Sequence, residues 1–122
     1  MNVVDSSGWL EYFTGGPNAA KFSKPIQDAN KLLVPAICIY EVFKVVSQRV
    51  GENEAVRAVA YMKEGTIVDV GDRLALSAAQ IAISQKLAMA DSFILAVARQ
   101  FDAMLWTMDA DFEGLAGVRY LK

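Results

Sequence analysis

The chain of 122 residues contains no histidine and only one cysteine. Without histidine, a Ser-His-Asp triad and a histidine acid/base nuclease are excluded, and so is imidazole ligation of zinc. The lone Cys38 cannot form an internal disulfide, and its neighbours Ile37 and Ile39 indicate burial, so a reducing compartment is expected. The sequence therefore predicts a cytoplasmic protein, and any bound metal must be held by oxygen, which favours Mg²⁺ or Mn²⁺.

Long apolar runs and a strong charge of either sign are also missing. The richest apolar segment, residues 87–97, is interrupted by Asp91 and Ser92, so no membrane helix is predicted, and the first residues do not resemble a signal peptide. The net charge is −2, so no strongly basic face indicates nucleic-acid binding, although acids neutralised by a bound metal would not contribute to the working charge. The length predicts a single domain over residues 1–122.

Five β-type segments alternate with helical ones along the chain. Strands are predicted at residues 3–4, 31–35, 66–70, 103–107 and 118–121, and helices at about 9–13, from 18, through 41 to about 50, 54–63, 72–86 and 91–101. This alternation predicts an α/β fold in which a mostly parallel sheet is covered on both faces. Ligands gather at the carboxyl ends of the strands in such sheets.

Four acidic residues lie inside or at the end of apolar runs: Asp5, Glu41, Asp91 and Asp109. A buried carboxylate is costly unless its charge is compensated, and four of them in one place would resist ionisation. One or two divalent cations would remove both penalties. Asp5 and Asp109 each follow a predicted strand. The sequence therefore predicts a metal-dependent enzyme whose chemistry is phosphodiester cleavage.

Each acid also has a purely structural explanation. Asp5 and Asp91 are possible helix N-caps, although Ser6 or Ser7 would cap the first helix equally well. Glu41 is a possible partner of Lys44, and Asp109 with Asp111 a possible polar turn. Thr107 is a candidate for binding a phosphate or orienting an acid, and Ser92 is a weaker candidate for the same roles. Trp9, Tyr12 and Phe13 predict core packing, with an exposed partner groove as the alternative.

Four segments together resemble the PIN-domain ribonucleases, and among them the VapC-type toxins of prokaryotic toxin–antitoxin pairs. They are Val4-Asp5-Ser6-Ser7, Pro35 followed by Glu41, Ala90-Asp91-Ser92-Phe93-Ile94-Leu95-Ala96, and Thr107-Met108-Asp109-Ala110-Asp111-Phe112. Each segment alone is a weak signal. In this order and spacing, over the whole chain, they are fairly specific.

The resemblance implies a three-layer α/β/α fold with a central parallel sheet and an endonuclease that cleaves RNA with Mg²⁺ or Mn²⁺. Asp5, Glu41, Asp91 and Asp109 match the family's metal-binding acids, and Thr107 and Asp111 match its auxiliary positions. It also implies a homodimer inhibited by a cognate antitoxin.

Three other functions remain open from the residues alone. A receiver-like signalling domain has a similar length and acid pocket, but no lysine follows the fourth or fifth strand until Lys122. A phosphohydrolase with an Asp-x-Asp loop places that pair after the first strand, whereas Asp109 and Asp111 come late. A non-catalytic scaffold that binds RNA or a partner would keep the fold and lose the chemistry.

Overall fold

The computed structural model describes the whole chain, from Met1 to Lys122. The strands are β1 (Asn2–Val4), β2 (Leu32–Pro35), β3 (Thr66–Val68), β4 (Met104–Thr107) and β5 (Val118–Tyr120). The helices are α1 (Ser6–Thr14), α2 (Ala19–Gln27), α3 (Ala36–Arg49), α4 (Glu52–Met62), α5 (Asp72–Gln85) and α6 (Met89–Gln100). Short 3₁₀ turns cover Ala29–Lys31 and Ala110–Phe112. The predicted alternation of strands and helices is confirmed.

All five strands are parallel and lie in the order β3-β2-β1-β4-β5. This is the order of the first five strands of a Rossmann-type sheet, and it differs from the β2-β1-β3-β4-β5 order of receiver-type domains. The receiver-like alternative is therefore wrong at the level of topology. The chain leaves β1 toward β2 and later returns to the other side of β1 as β4, so a topological switch point lies between β1 and β4.

Helices cover both faces of the sheet and complete three layers. Helix α1 contacts α2 and α3, and α3 contacts α4, whereas α5 packs mainly against α6. Because parallel crossovers are right-handed, the reversal at β1 places these two groups on opposite faces. No helix alone has the length and apolar character of a membrane span; α5 and α6 meet that criterion only as a pair, with a 113° bend between them.

The core is one cluster of 22 buried residues centred on β1, β2 and α6. Val3 and Val4 of β1 are fully buried, and residues 94–98 of α6 are all buried. The strongly apolar sequence of α6 thus reflects a central helix that contacts β1, β2 and β4. Asp91, in the first turn of this helix, is thereby held near the sheet.

Gly8 allows α1 to begin close to β1. A Cβ atom at this position would lie 2.6 Å from Cγ1 of Val4 and 2.7 Å from Cε1 of Phe22. Any larger residue would push α1 away from the strand or from α2. The first turn of α1 therefore lies directly beyond the carboxyl end of β1.

The predicted third strand is two residues too long. β3 ends at Val68, which pairs with Pro35, the last residue of β2. Because β2 is the only neighbour of this edge strand, no backbone remains for Asp69 and Val70 to pair with. The β-branched pattern predicted the strand but not its end.

Candidate active site

Three of the predicted site residues meet at the switch point between β1 and β4. Asp5 directly follows β1, Thr107 is the last residue of β4, and Asp109 lies two residues later. The backbone N–H of Asp5 donates to the carbonyl oxygen of Trp106 at 3.1 Å, which keeps the two strand ends together. Open parallel sheets bind ligands in the crevice at such a point.

Asp5 is 2% exposed, and its carboxylate accepts three hydrogen bonds. The hydroxyl of Ser7 donates to Oδ1 at 2.7 Å, the N–H of Gly8 donates to the same oxygen at 3.0 Å, and the hydroxyl of Thr107 donates to Oδ2 at 2.7 Å. The bond from Gly8 makes Asp5 the N-cap of α1. The expectation that Ser6 or Ser7 caps this helix is wrong, and Asp5 combines the structural role with a place in the site.

Backbone N–H groups orient both hydroxyls. The N–H of Asp109 donates to Oγ1 of Thr107 at 2.8 Å, and the N–H of Met108 donates to Oγ of Ser7 at 3.1 Å. A hydroxyl has one proton to donate. Since each oxygen already accepts from the backbone, its proton points at Asp5. Thr107 therefore orients an acid, which is one of its two predicted roles, and Ser7 does the same.

Glu41 reaches the site from α3. The hydroxyl of Ser6 donates to its Oε1 at 2.6 Å. Lys44, the alternative partner predicted from helical spacing, instead places its ammonium 5.9 Å from the ring centroid of Tyr40. The only ion pair in the protein joins Arg57 and Glu54. Glu41 is therefore not a surface glutamate paired with lysine.

The carboxylates repel one another and are partly desolvated. Burial raises the pKa of Asp5 from 3.8 to about 6, although the hydrogen bonds from Thr107, Ser7 and Gly8 lower it. Burial also raises the pKa of Asp91 from 3.8 to about 7, and the charges of neighbouring acids add to that rise. In decreasing order these neighbours are Asp109, Asp5, Glu41 and Asp111. All the predicted acids thus lie close enough to act on Asp91.

The acids fit a divalent cation. One carboxylate oxygen from each of Asp91, Asp109 and Asp111 lies within 4.8 Å of the other two. No lysine or arginine forms an ion pair with any of them. Carboxylate oxygens without a protein cation are the ligands that Mg²⁺ and Mn²⁺ prefer. Asp5 and Glu41, two of the four predicted ligands, lie outside this group, although their charges raise the pKa of Asp91; Asp111 is the exposed member of the group.

Two nearby polar groups serve the structure instead. The hydroxyl of Ser92 donates to the carbonyl oxygen of Ala88 at 2.8 Å, so the predicted role in phosphate binding or in orienting an acid is not supported. Cys38 is fully buried, as predicted, and its Sγ lies 3.8 Å from the carbonyl oxygen of Val4. Burial and the charge of Asp5 raise the pKa of this thiol.

Sequence reasoning missed the roles of Ser6 and Ser7 in the site. One or the other was expected to cap α1, yet the hydroxyls of both bind acids. The available signal was their position beside Asp5, at the end of the strand where the chemistry was expected. Their partners in space lie 35 residues away for Ser6 and 101 residues away for the Ser7–Met108 bond, so local pattern could not reveal them.

The sequence model of the PIN-domain family matches residues 3–118. The chain is a PIN domain. The matched range includes every predicted site residue and runs from β1 into β5. No curated protein sequence matches this PIN domain.

Solved structures with the same fold include proteins of toxin–antitoxin systems. A toxin–antitoxin complex from Klebsiella pneumoniae has a chain that is 21% identical, with a TM-score of 0.81 over 98% of this PIN domain and 96% of that chain. VapC20 from Mycobacterium tuberculosis, described as a sarcin-ricin loop cleaving toxin, is 16% identical, with a TM-score of 0.72 over 93% and 92%. DNA-bound VapBC from Salmonella typhimurium is 12% identical, with a TM-score of 0.75 over 98% and 96%. At these identities the likeness shows the fold.

Proposed function

We propose that this PIN domain is a metal-dependent endoribonuclease and the toxin of a toxin–antitoxin pair, with residues 1–122 acting as one nuclease domain in the cytoplasm. The observation that carries the proposal is the convergence of carboxylates on Asp91 without a lysine or arginine to compensate them. Membership of the PIN family and a fold shared with toxins, one of them described as cleaving RNA, support the same function.

A Mg²⁺ or Mn²⁺ ion would be held by Asp91, Asp109 and Asp111. Further carboxylate oxygens around that ion would come from Asp5 and Glu41. When bound, such an ion lowers the pKa of a coordinated water and stabilises negative charge that develops on a phosphate.

The chain itself supplies a fixed arrangement of acids. Hydroxyl protons from Ser7 and Thr107 hold both oxygens of Asp5 in place, and these donors favour its charged form over the neutral acid. Ser6 holds Glu41. Asp111 is exposed and lies beside Asp109, so it is the acid most accessible to a dissolved ion or an RNA strand. The protein thus provides orientation at β1 and β4 and access at the turn after β4.

The decisive experiment compares the wild-type protein with Asp91→Asn and Asp69→Asn on a structured RNA containing single-stranded loops. Asp69 is an exposed acid that follows β3 at the same edge of the sheet, so its variant is a matched control. We expect Asp91→Asn to lose cleavage by about 100-fold or more, on the scale of losing one electrostatic stabiliser, and Asp69→Asn to cleave like wild type. Chelation with EDTA should stop cleavage and added Mn²⁺ restore it. Undiminished cleavage by Asp91→Asn, or by the EDTA-treated protein, would refute the assignment.

The proposed antitoxin needs a surface, and one cavity lies away from the acids. It has a volume of about 560 Å³ and opens between α1, α3 and α4. Its apolar lining includes Phe13, Val46, Val50 and Tyr61. Five of its eight lining residues are apolar, and Glu54 and Arg57 lie among the others, so the cavity suits a partner segment that combines apolar side chains with polar ones. We propose that a largely apolar segment of the antitoxin binds in this cavity.

A second copy of the chain has a different candidate surface, on α5 and α6. Leu76 and Ile83 are 68% and 81% exposed and lie seven residues apart, on one side of α5. Beside them is a cavity of about 270 Å³ whose lining includes Ala75, Ala79 and Met89. A two-fold dimer brings the same surface of both copies together, so the ridge formed by Leu76 and Ile83 of one copy can enter the groove of the other. We propose that this face forms the homodimer.

A further inference from the structure

We propose that Ser6 is a positioning residue that holds Glu41 in the acidic site. This inference rests on the proposed function, because it assigns Ser6 a role in arranging the ligands of the metal ion. Ser6 belongs to the first turn of α1 and Glu41 to α3, and the two residues are 35 positions apart. Their hydrogen bond is therefore a tertiary contact and not a feature of either helix.

The bond has the geometry of a hydroxyl that donates to a carboxylate. Oγ of Ser6 and Oε1 of Glu41 are 2.6 Å apart, within the short range of such bonds. It is the only hydrogen bond that the protein makes to the carboxylate of Glu41, and no lysine or arginine pairs with that group. A glutamate side chain has several rotatable bonds, so the bond to Ser6 limits where its oxygens can lie in the site.

The hydroxyl of Ser6 has no role in forming α1. Asp5 already caps this helix by accepting from the N–H of Gly8, and Ser6 makes no side-chain bond to the backbone. Alanine is also the better helix former. Removing the hydroxyl should therefore leave the helix intact and release Glu41. This separates a positioning role from a structural one.

Three consecutive residues thus connect three elements of the site. Asp5 comes from the end of β1, Ser6 binds Glu41 of α3, and Ser7 binds Asp5 while accepting from the backbone after β4. Removing a side chain that hydrogen-bonds to a metal ligand typically changes metal affinity or activity by about 10–100-fold. Loss of the Ser6 hydroxyl should therefore have a measurable effect on metal affinity.

The test measures Mn²⁺ binding by titration calorimetry and RNA cleavage for Ser6→Ala, Ser6→Thr and Ser23→Ala. Ser23 is a matched control because its partly exposed hydroxyl donates within its own helix, to the carbonyl oxygen of Ala20. We expect Ser6→Ala to weaken Mn²⁺ binding by about 10–100-fold at an unchanged melting temperature. Ser6→Thr should recover most of that affinity because it keeps the hydroxyl, and Ser23→Ala should match wild type.

A double-mutant cycle with Glu41→Ala gives the sharper readout. If Ser6 acts through Glu41, then Ser6→Ala adds no further loss of Mn²⁺ affinity in the Glu41→Ala background. An undiminished loss in that background, or wild-type affinity in Ser6→Ala itself, overturns the positioning role and leaves the proposed function intact. If the wild-type protein neither binds Mn²⁺ nor cleaves RNA, the proposed function fails and this inference fails with it.

Discussion

The hydroxyl of Thr107 donates a 2.7 Å hydrogen bond to Oδ2 of Asp5, a residue 102 positions earlier in the chain. Both residues are buried: Thr107 is completely buried, and Asp5 is 2% exposed. The same hydroxyl oxygen accepts from the N–H of Asp109 at 2.8 Å. One side chain at the end of β4 thus connects an acid after β1 with an acid after β4, across the switch point of the sheet.

We expect Thr107→Val to lower both stability and activity. Valine keeps the shape of threonine but leaves a buried carboxylate oxygen of Asp5 and the N–H of Asp109 without their partner. An unsatisfied buried group costs about 1–3 kcal/mol, and loss of a residue that orients a metal ligand costs about 10–100-fold in activity. Urea unfolding and RNA cleavage measure the two effects.

The control is Thr14→Val, at an exposed position, which should change the free energy of unfolding by no more than about 0.5 kcal/mol. Equal stability of the two variants would contradict the role of Thr107.

The two acids after β4 should differ in importance. Asp109 is half-buried and is the neighbour whose charge raises the pKa of Asp91 most, whereas Asp111 is exposed and has the smallest of these effects. We expect Asp109→Asn to weaken Mn²⁺ binding more than Asp111→Asn does, as measured by titration calorimetry. The pair is matched in chemistry, and asparagine at 109 can still accept from the N–H of residue 111, as Asp109 Oδ1 does at 2.9 Å. If Asp111→Asn binds Mn²⁺ more weakly than Asp109→Asn does, the prediction is wrong, and the more buried acid is not the more important ligand.

The sequence predicts those site residues whose neighbours in the chain already indicate their role. Asp5 and Asp109 follow strands, and the carboxyl end of a parallel strand is where this architecture places ligands. Asp91 interrupts the apolar pattern of a helix whose central residues 94–98 the structure buries. In each case the neighbours in sequence already showed that the acid was out of place in a core segment.

The parts that could not be predicted depend on packing between distant elements. Helical spacing gave Lys44 as the alternative partner of Glu41, but the carboxylate accepts from the hydroxyl of Ser6 on α1, which no local pattern indicated. The strand order, which places β4 beside β1, is likewise set by how helices pack on the two faces and not by any single strand. Ser6 and Ser7 appeared as capping residues because a cap is the local use of serine.

Without a metal ion, the protein should lose stability as the pH rises from about 4 to about 7. Asp5 and Asp91 have folded-state pKa values of about 6 and about 7, above the 3.8 of the ordinary group. In this window the folded protein binds protons that the unfolded chain has already released, so raising the pH favours unfolding. Asp5 alone accounts for at most about 3 kcal/mol of this loss, since one pKa unit corresponds to about 1.4 kcal/mol. Urea unfolding in EDTA at several pH values measures the slope.

Asp5→Asn tests the origin of that slope. Asparagine retains an oxygen for the cap of α1 but does not titrate, so the fall in stability between pH 4 and 7 should become shallower. Asp69→Asn, at an exposed acid, should leave the slope as in wild type. Mn²⁺ should stabilise the wild-type protein most at the upper end of the window, because the ion binds the deprotonated acids. A metal-free protein whose stability rises steadily from pH 4 to 7 would contradict the pKa values on which this prediction depends.

Charge on the exposed ridge of α5 should separate the proposed homodimer into single chains. Ile83 is 81% exposed and lies on the helix whose alanines line the groove, so in a two-fold interface it would be buried against the second copy. We expect Ile83→Lys to sediment with half the mass of wild type, because an unpaired ammonium is costly to bury. Val56→Lys on α4 is the control, since Val56 is also an exposed apolar residue, at 55%, but lies outside this face. Lysine is a good helix former, so neither variant should disturb its own helix. If Ile83→Lys keeps the mass of a dimer, or if wild type is already a single chain, then α5 and α6 do not form the interface, and the exposed leucine and isoleucine need another partner.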